Sequence, residues 1–503
     1  MKISTNLKNI SKILRDVSMV MILVLLCIGC GEKKVSETNQ KLKTTMTMDI
    51  DSLNAHKIVS SGTEEILFNV YEGLVMPQVD GSLKSAIAES WKISDDGKTY
   101  IFKIRKNVKF HDGSTLTPQD VVFSLNRISG RDGGRPLKAV LADIKDIKIN
   151  GDDVIVELNK PNSAFLYALT IGIVPEHNKE NLDKNPIGTG AFKIKSYTRE
   201  QELVLEKFND YWGNKAKLDE VIVYIIPNSE TAFLKLLSGE IDMLSRVDAN
   251  RLSELKGFNN ISAPQNTVQI FALNNKVVPF NDVRVRKAIN YVIDKDAIIN
   301  SVMKGNGLKL ETNMSPVMKK YAIENIGQKQ DIEKAKELLK EAGVENLNFT
   351  IKVPSNYALH VNTAQIISEQ LKKVGINAKI ETVEWTTWLS DVYKGRKYEG
   401  TIVGLSGKLD PYAILRRYTS TYKSNFSNFN NLEYDRLIEE AKRSTDDNLI
   451  TNNYKKAEEI LRDQQAAIYI MDPELITTLN KKINGFEYYP TPFINFANMS
   501  FGE

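Results

Sequence analysis

The first 30 residues determine where the rest of this chain has to fold. Four basic residues between Lys2 and Arg15 precede an apolar run at 20–29, and Cys30 follows directly. This order is typical of a secretory signal, and the run is too short to span a bilayer. No cysteine occurs after Cys30. An exported chain without cysteine pairs must be held together by its hydrophobic core rather than by disulfides.

The residues around Cys30 resemble the lipobox of bacterial lipoproteins, in which a small residue precedes a cysteine that becomes lipidated. Gly29 precedes Cys30, and polar residues follow it. We therefore predict a lipoprotein signal peptide at 1–29 and lipidation of Cys30. Cys27 is the alternative acceptor, but Leu26 before it is a poor small-residue match; an uncleaved anchor is the other alternative. Residues 30–45 are polar and predict a flexible tether, with folded structure from Met46.

Length and charge exclude several classes of protein. A chain of 503 residues is long enough for two or three domains, and 42% hydrophobic with 26% charged residues is a globular composition. The predicted signal contains four basic residues and one acid, so its removal lowers the formal net charge from +4 to +1. Without a basic surface on the mature chain, we expect no nucleic-acid partner.

Helices that end at glycine and lead into strands indicate an α/β fold. The amphipathic stretch 331–343 ends at Gly343, and a second stretch ends at Gly375 and runs into the strand-like 377–385. Two apolar strands, 266–275 and 466–475, lie where the chain passes between two halves. Such a double crossing favours a cleft that closes on a ligand; two independent domains in series are the alternative.

The sequence contains none of the common catalytic signatures. HExxH, GxSxG and GxxxxGK[ST] are all absent, and "GLSGK" at 404–408 has the wrong spacing for the last two. The four histidines, His56, His111, His177 and His360, are far apart in sequence. We therefore expect no enzyme activity, no metal site and no cofactor. A hydrolase that uses a carboxylate pair remains an alternative, because acidic residues are plentiful.

His111 lies in "FHDGSTLTPQDVV" at 110–122, which is predicted to be a corner of the fold rather than a catalytic centre. Gly113 allows a tight turn, and a helix then begins with Thr117 as N-cap, Pro118 at its first position and Asp120 in its first turn. Each polar residue has a structural role there. We expect His111 to serve the turn.

Many stretches from about residue 46 to the end resemble family 5 extracytoplasmic substrate-binding proteins of ABC importers, which bind peptides, nickel or opines. Each stretch alone is weakly specific, but all occur in the family's order. They include the region 71–128, "PIGTGAFKIKSY", "ETAFLKLLSGEIDM", "NDVRVRKAINYVIDKDAI", "EQLKKVGINAKIETVEWTTWL" and "LDPYAIL".

The resemblance implies a two-lobed α/β periplasmic-binding fold of cluster C, type II-like, with an extra subdomain in lobe I. Lobe I would comprise 46–266, with the accessory subdomain at about 76–180. Lobe II would comprise 267–471, and 472–503 would return to lobe I. The crossover strands would lie near 267–274 and 467–472, where the apolar pattern also places the crossings.

The resemblance also implies a ligand site. Asp410 occupies the position from which peptide-binding relatives pair with a peptide's amino terminus; the alternative is that Asp410-Pro411 only starts a helix. At most one of the adjacent Arg416 and Arg417 can point into the cleft, and Trp385 and Trp388 are either pocket walls or core. The remaining expected contacts, including those from the loop His56 to Thr63, are Tyr412, Leu405, Leu409, Ser60, Ser61 and Tyr71.

The expected protein is a monomer that binds di- or oligopeptides and works with ABC permease and ATPase subunits. A lipid would hold it outside the cell membrane or in the periplasm. The alternative ligand is nickel or a nickel chelate, although the segment "LTIGIVPEH" lacks the arginine that nickel binders place there. A secreted hydrolase and a surface adhesin without a pocket ligand are alternatives of other classes.

Overall fold

The computed structural model describes residues 40–324, 328–491 and 493–502. The predicted signal peptide and Cys30 lie outside these residues. The chain from Lys41 onward forms one compact unit. Within the described ranges, no helix is both long enough and apolar enough to cross a membrane.

The strands are numbered along the chain. The first ten are β1 Lys41–Met46, β2 Val75–Pro77, β3 Leu83–Ser85, β4 Ala88–Ile93, β5 Thr99–Ile104, β6 Ile144–Asn150, β7 Asp153–Leu158, β8 Phe192–Thr198, β9 Glu202–Lys207 and β10 Glu220–Ile225. The others are β11 Met243–Ser245, β12 Asn259–Pro264, β13 Thr267–Leu273, β14 Gly307–Lys309, β15 Asn348–Pro354, β16 Asn377–Val383, β17 Gly400–Ser406, β18 Ile468–Leu479, β19 Ile483–Asn484 and β20 Ser500–Phe501.

The helices are numbered in the same way. They are α1 Ser61–Leu67, α2 Pro118–Ser129, α3 Phe165–Ala168, α4 Ser229–Ser238, α5 Val283–Val292, α6 Lys295–Met303, α7 Ile332–Glu341, α8 Ala358–Leu371, α9 Trp385–Thr387, α10 Pro411–Leu415, α11 Leu432–Arg443 and α12 Asp447–Asp463.

The first sheet of lobe I corrects the predicted start of the fold. Its order is β1-β10-β9-β8, and β1 pairs in parallel with β10 from Lys41 to Met46. The predicted tether therefore ends before residue 41, five residues earlier than expected. Leu42 and Thr44 are buried while Lys41 and Lys43 are only partly covered, so a half-buried strand has the polar composition of a tether.

Lobe I also contains a second antiparallel sheet of order β4-β5-β7-β6, which we call the accessory sheet. Helix α2 packs on it and begins as the sequence predicts. The Asp120 carboxylate accepts hydrogen bonds from the Thr117 backbone N–H at 2.9 Å and from its hydroxyl at 2.8 Å. Gly130 ends the helix in the left-handed conformation, with φ of 76°.

Strand β18 belongs to two parts of one large sheet, of order β11-β18-β13-β17-β15-β16, with β12 and β14 also on β18. Its first residues pair with β13, and its residues from Glu474 to Leu479 pair with β12. Strands β12 and β13 are separated only by Gln265 and Asn266. Two neighbouring chain segments therefore cross together from the part of the sheet that contains β12 to the part that contains β17, which we refer to as lobe I and lobe II after the prediction.

Lobe II confirms the predicted alternation of helix, glycine and strand. Gly343 and Gly375 both follow helical turns with positive φ, 68° and 75°. The chain then runs into β15 and β16, which pair in parallel from Asn348 and Asn377. The segments predicted as crossings are strands β13 and β18, but the predicted limits of the lobes and of the accessory subdomain stay predictions.

Candidate functional site

A cavity of about 1540 Å³ lies between the two lobes, and we call it the cleft. Lobe I contributes residues from 55–77, from the accessory sheet's connections and from the carboxyl-terminal segment 488–498. Lobe II contributes the loop after β17, helix α10 and the end of α11. The lobes also touch beside it: the Ser163 backbone N–H donates to the Lys442 carbonyl at 2.9 Å.

Asp410 lines the cleft at the start of α10. Its Oδ1 accepts a hydrogen bond from the Tyr412 backbone N–H at 2.9 Å, and Pro411 is the first helical residue. Asp410 therefore acts as the predicted helix cap and also lines the cleft, while its pairing with a peptide ammonium group stays a prediction. Burial raises the pKa of Asp410 to about 7, against the opposing effects of the backbone N–H groups and of the cations Arg416 and Lys442.

Aromatic rings hold those two cations beside Asp410. The Arg416 guanidinium carbon lies 5.6 Å from the ring centre of Tyr412 and 4.9 Å from that of Tyr422. Lys442 Nζ lies 4.9 Å from the Tyr412 ring centre. Such contacts stabilise a cation without neutralising it. The buried Nε of Arg416 has no hydrogen-bond partner among the described residues.

Only one of the two adjacent arginines lines the cleft, as the sequence predicts. Arg416 is a lining residue and Arg417 is not. The Arg417 guanidinium turns back to β17, where it donates to the Ser406 carbonyl at 2.5 Å. Burial lowers the pKa of Arg417. The expected ligand contact from Arg417 is therefore not supported by its position.

Three further expected contacts lie outside the cleft lining, with Trp388 in the core of lobe II and Trp385 and Leu405 partly buried against that core. Trp388 is 2% exposed, and its Nε1 donates to the Thr401 hydroxyl at 2.9 Å. Trp385 stacks on Trp388 with ring centres 5.0 Å apart, and Leu405 packs against the same core. The buried position of Trp388 and its internal hydrogen bond favour the core interpretation for that residue. Leu409 and Tyr412 do line the cleft.

The amino-terminal loop contributes part of what the sequence predicts. Ser61 and Tyr71 line the cleft, whereas Ser60 does not. The Ser60 backbone N–H donates to Asp51 Oδ2 at 3.1 Å, and the Tyr71 hydroxyl donates to the Leu53 carbonyl at 2.5 Å. His56 also lines the cleft; burial lowers its pKa to about 4, so its imidazole is neutral at pH 7.

His111 lies outside the residues that line the cleft and joins two loops of lobe I. The Gly188 backbone N–H donates to its Nδ1 at 3.2 Å, so Nε2 carries the proton and donates to the Gly190 carbonyl at 3.0 Å. Burial lowers the pKa of His111 to about 4. The prediction of a corner is confirmed, but His111 links the turn to 188–190 rather than serving the turn alone.

Sequence reasoning missed an aromatic wall from the returning chain. Phe493 stacks on Phe68 with ring centres 4.6 Å apart, and Tyr489 lies 6.1 Å from the same ring. All three line the cleft. The aromatic composition of 486–496 was the available signal, but nothing in a single sequence shows that this segment folds back beside α1.

A buried acid supports the lobe I wall. Glu72 is 6% exposed and accepts hydrogen bonds from the Thr189 hydroxyl, the Tyr211 hydroxyl and the Trp212 indole at 2.7 to 2.8 Å. The Arg105 guanidinium stacks 4.3 Å from the Trp212 ring centre. Burial raises the pKa of Glu72 despite these donors. Both carboxylate oxygens of Glu72 are thus hydrogen-bonded within this part of the wall.

Among the residues that the structure describes, no group of three or more His, Cys, Asp or Glu side chains is arranged to hold a metal ion. The site is instead a large cleft with aromatic walls, one capping carboxylate and several cations. A large cleft between two lobes joined by paired crossing segments is the architecture of a solute-binding protein.

Comparison with known proteins identifies the family. Residues 82–426 match the family described as "Bacterial extracellular solute-binding proteins, family 5 Middle". The dipeptide-binding protein of Escherichia coli K12 is 30% identical over 82% of this chain and 85% of that protein. The chain belongs to this family, and the two-lobed α/β fold expected from it is confirmed.

Two other relatives show the range of ligands near this sequence. Heme-binding protein A of Haemophilus influenzae is 29% identical over 83% of this chain and 84% of that protein. The structure of the ABC transporter-associated periplasmic binding protein DppA from Helicobacter pylori, in complex with the peptide STSA, has a TM-score of 0.72. It is 27% identical, and the match covers 92% of this chain and 98% of that one.

Proposed function

We propose that this protein captures short peptides in the cleft and delivers them to the permease of an ABC importer. The observation that carries this proposal is Asp410, a carboxylate that lines the cleft and can receive a peptide ammonium group. Relatives named for dipeptide binding and for association with an ABC transporter support it. A ligand that contacts both lobes would shift an open–closed equilibrium toward the closed form.

Native mass spectrometry of the purified protein tests the ligand class directly. We expect co-purified masses of peptides a few residues long, which leave the protein when it is denatured. A nickel chelate is the competing ligand. With no metal-binding group in the described part of the chain, the chelator would have to supply the nickel ligands. An adduct that contains nickel or heme and no peptide would contradict the proposal.

We also propose that Cys30 carries the lipid that holds this receptor at the outer face of the membrane. The sequence before Cys30 is what supports this. Metabolic labelling with an alkyne fatty acid tests it: Cys30→Ala abolishes the label and releases the protein from the membrane fraction, while Cys27→Ala keeps both. Unchanged labelling of Cys30→Ala would contradict it.

A further inference from the structure

Helix α11 of lobe II ends against a residue of lobe I. The last carbonyls of an α-helix have no partner inside the helix. At the end of α11, the Ala441 carbonyl accepts a hydrogen bond from the Ser163 hydroxyl at 3.1 Å, and the Lys442 carbonyl accepts one from the Ser163 backbone N–H at 2.9 Å. Ser163 precedes Ala441 by 278 residues, so a distant part of the chain caps this helix.

The end of α11 differs from helix ends that are completed locally. Helices α2 and α4 are followed by Gly130 and Gly239, both in the left-handed conformation with φ of 76° and 77°. Helix α11 is followed instead by Ser444 in an extended conformation, with φ of −87° and ψ of 153°. Lobe I therefore supplies the cap that the sequence after α11 does not.

Each side of this contact is held within its own lobe. Asn162, next to Ser163, is 3% exposed; its Oδ1 accepts from the Ala164 N–H at 3.1 Å, and its carbonyl accepts from the Tyr100 hydroxyl of β5 at 3.0 Å. On the other side, Ala441 is buried in the core of lobe II. Because each side is fixed separately, the contact forms and breaks only when the lobes move as bodies.

Two further contacts lie along the same boundary. The Thr445 hydroxyl donates to the Asp95 carbonyl at 3.2 Å, and a Cβ placed on Gly97 would lie 2.7 Å from the Thr445 methyl carbon. The turn between β4 and β5 therefore fits against the chain after α11 because residue 97 has no side chain. The hydroxyl oxygens of Tyr167 and Tyr321 lie 3.3 Å apart. Two loops of lobe I thus touch lobe II beside the cleft.

Lys442 connects these contacts to the ligand site. Its carbonyl accepts from Ser163, while its side chain lines the cleft with Nζ 4.9 Å from the Tyr412 ring centre. Asn162 and Tyr167 also line the cleft. The contacts therefore lie at its rim, where water replaces them when the lobes separate. A neutral hydrogen bond that is exchanged with water contributes little, so these contacts can favour closure without making it permanent.

We propose that Ser163 is a latch, which caps α11 only when the lobes are closed and thereby stabilises the closed form independently of any ligand. Part of the open–closed equilibrium is then set by the chain itself, and the ligand supplies the rest. The inference concerns the motion of the lobes and does not depend on which solute the cleft binds.

The test measures the distance between the lobes in the mature chain. No cysteine follows Cys30, so Cys30→Ser combined with Lys92→Cys and Lys340→Cys places one spin label on the accessory sheet and one on α7, both at exposed positions. Double electron–electron resonance then gives the closed and open populations of protein that has been dialysed free of ligand.

Three substitutions are compared in this labelled chain. Ser163→Ala removes the hydroxyl bond to α11, and Thr445→Val removes the bond to the Asp95 carbonyl without changing the side-chain shape. Ser129→Ala is the matched control, because its hydroxyl also donates to a carbonyl at 3.1 Å, that of Asn126, but within lobe I. Circular dichroism checks that each variant is folded.

We expect Ser163→Ala to lower the ratio of closed to open protein by about three- to tenfold, and Thr445→Val to lower it further in the double variant. Ser129→Ala should keep the wild-type ratio. The same ratio in Ser163→Ala and Ser129→Ala overturns the inference, as does one unchanged distance in the wild type and all variants. Either result leaves the peptide function standing, since that function fails only when no peptide is bound.

Discussion

The chain contains two Asp-Pro dipeptides at the boundary between its lobes, and they have different roles. Asp410-Pro411 opens helix α10 in the cleft, where Asp410 Oδ1 caps one backbone N–H. Asp472-Pro473 lies inside β18, where Asp472 Oδ1 accepts from the N–H groups of Gln265 and Thr267 at 3.0 and 3.1 Å. The second aspartate thereby ties the two crossing segments together.

Burial raises the pKa of both carboxylates, to about 7 for Asp410 and about 6 for Asp472. Asp472 is completely buried and does not line the cleft, whereas Asp410 does. The comparison teaches that capping and a raised pKa do not distinguish a binding residue from a structural one. Access to the cleft and the presence of nearby cations distinguish the binding residue from the structural one.

The largest expected effect is the difference between the two aspartates in the unfolding free energy that is lost on substitution. Asp472→Ala leaves the N–H groups of Gln265 and Thr267 without their acceptor, and at pH 4, where the contribution of Asp472 is present, we expect a loss of about 2–4 kcal/mol in unfolding free energy. Asp410→Ala removes a helix cap and should cost about 1 kcal/mol. Urea unfolding followed by circular dichroism measures both. Equal losses would contradict the assignment of Asp472 to the crossing.

A pH series sharpens the same contrast. Because the folded-state pKa of Asp472 is raised from 3.8 to about 6, its contribution to stability is fully present below pH 4 and is lost as the pH rises through 6. Asp472→Asn keeps an acceptor oxygen without this titration. We expect the stability of Asp472→Asn relative to wild type to increase by up to about 3 kcal/mol between pH 4 and pH 7. A stability difference between Asp472→Asn and wild type that does not change with pH would contradict the raised pKa of Asp472.

Peptide affinity should depend on pH through Asp410. Burial raises the pKa of Asp410 from its ordinary value of 3.8 to about 7, and an ammonium group would bind the carboxylate form. Affinity should therefore fall by about tenfold between pH 8 and pH 6, with proton release on binding near pH 7. Isothermal titration calorimetry in buffers of different ionisation enthalpy measures both quantities. Asp410→Asn should release no proton, and an identical release would refute the assignment.

The smallest expected effect concerns Arg417. Because its guanidinium bonds to the Ser406 carbonyl and lies outside the cleft, Arg417→Met should change peptide affinity by less than about threefold. Arg416→Met, on the cleft side, should change both affinity and its pH profile. A tenfold loss of peptide affinity in Arg417→Met, with the same pH dependence of binding as in the wild type, would contradict the position of Arg417 outside the cleft.

Local signals predicted much of the fold. The capping box at Thr117 and Asp120 and the helix ends near Gly343 and Gly375 depend on neighbours in sequence, so they are readable from it. Strand β1 was missed because its partner β10 lies almost 180 residues away. The same reason hid the link from His111 to 188–190.

The candidate site was harder to predict than the fold. The resemblance to a family points to Asp410, whereas no sequence signal distinguishes Asp472 in an identical dipeptide. Trp388 and Arg417 have the residue types of a binding site but point into lobe II.

The central claim is that the Asp410 carboxylate binds the ammonium group of a peptide in the cleft. Asp446 provides a matched control, because it also caps a helix, accepting from the Asn448 N–H at 2.9 Å, but lies outside the cleft. The measurement is calorimetric affinity for a peptide recovered from the wild type, using Asp410→Asn and Asp446→Asn. We predict that Asp410→Asn weakens binding well beyond tenfold and that Asp446→Asn leaves it unchanged. Wild-type affinity in folded Asp410→Asn would contradict the account.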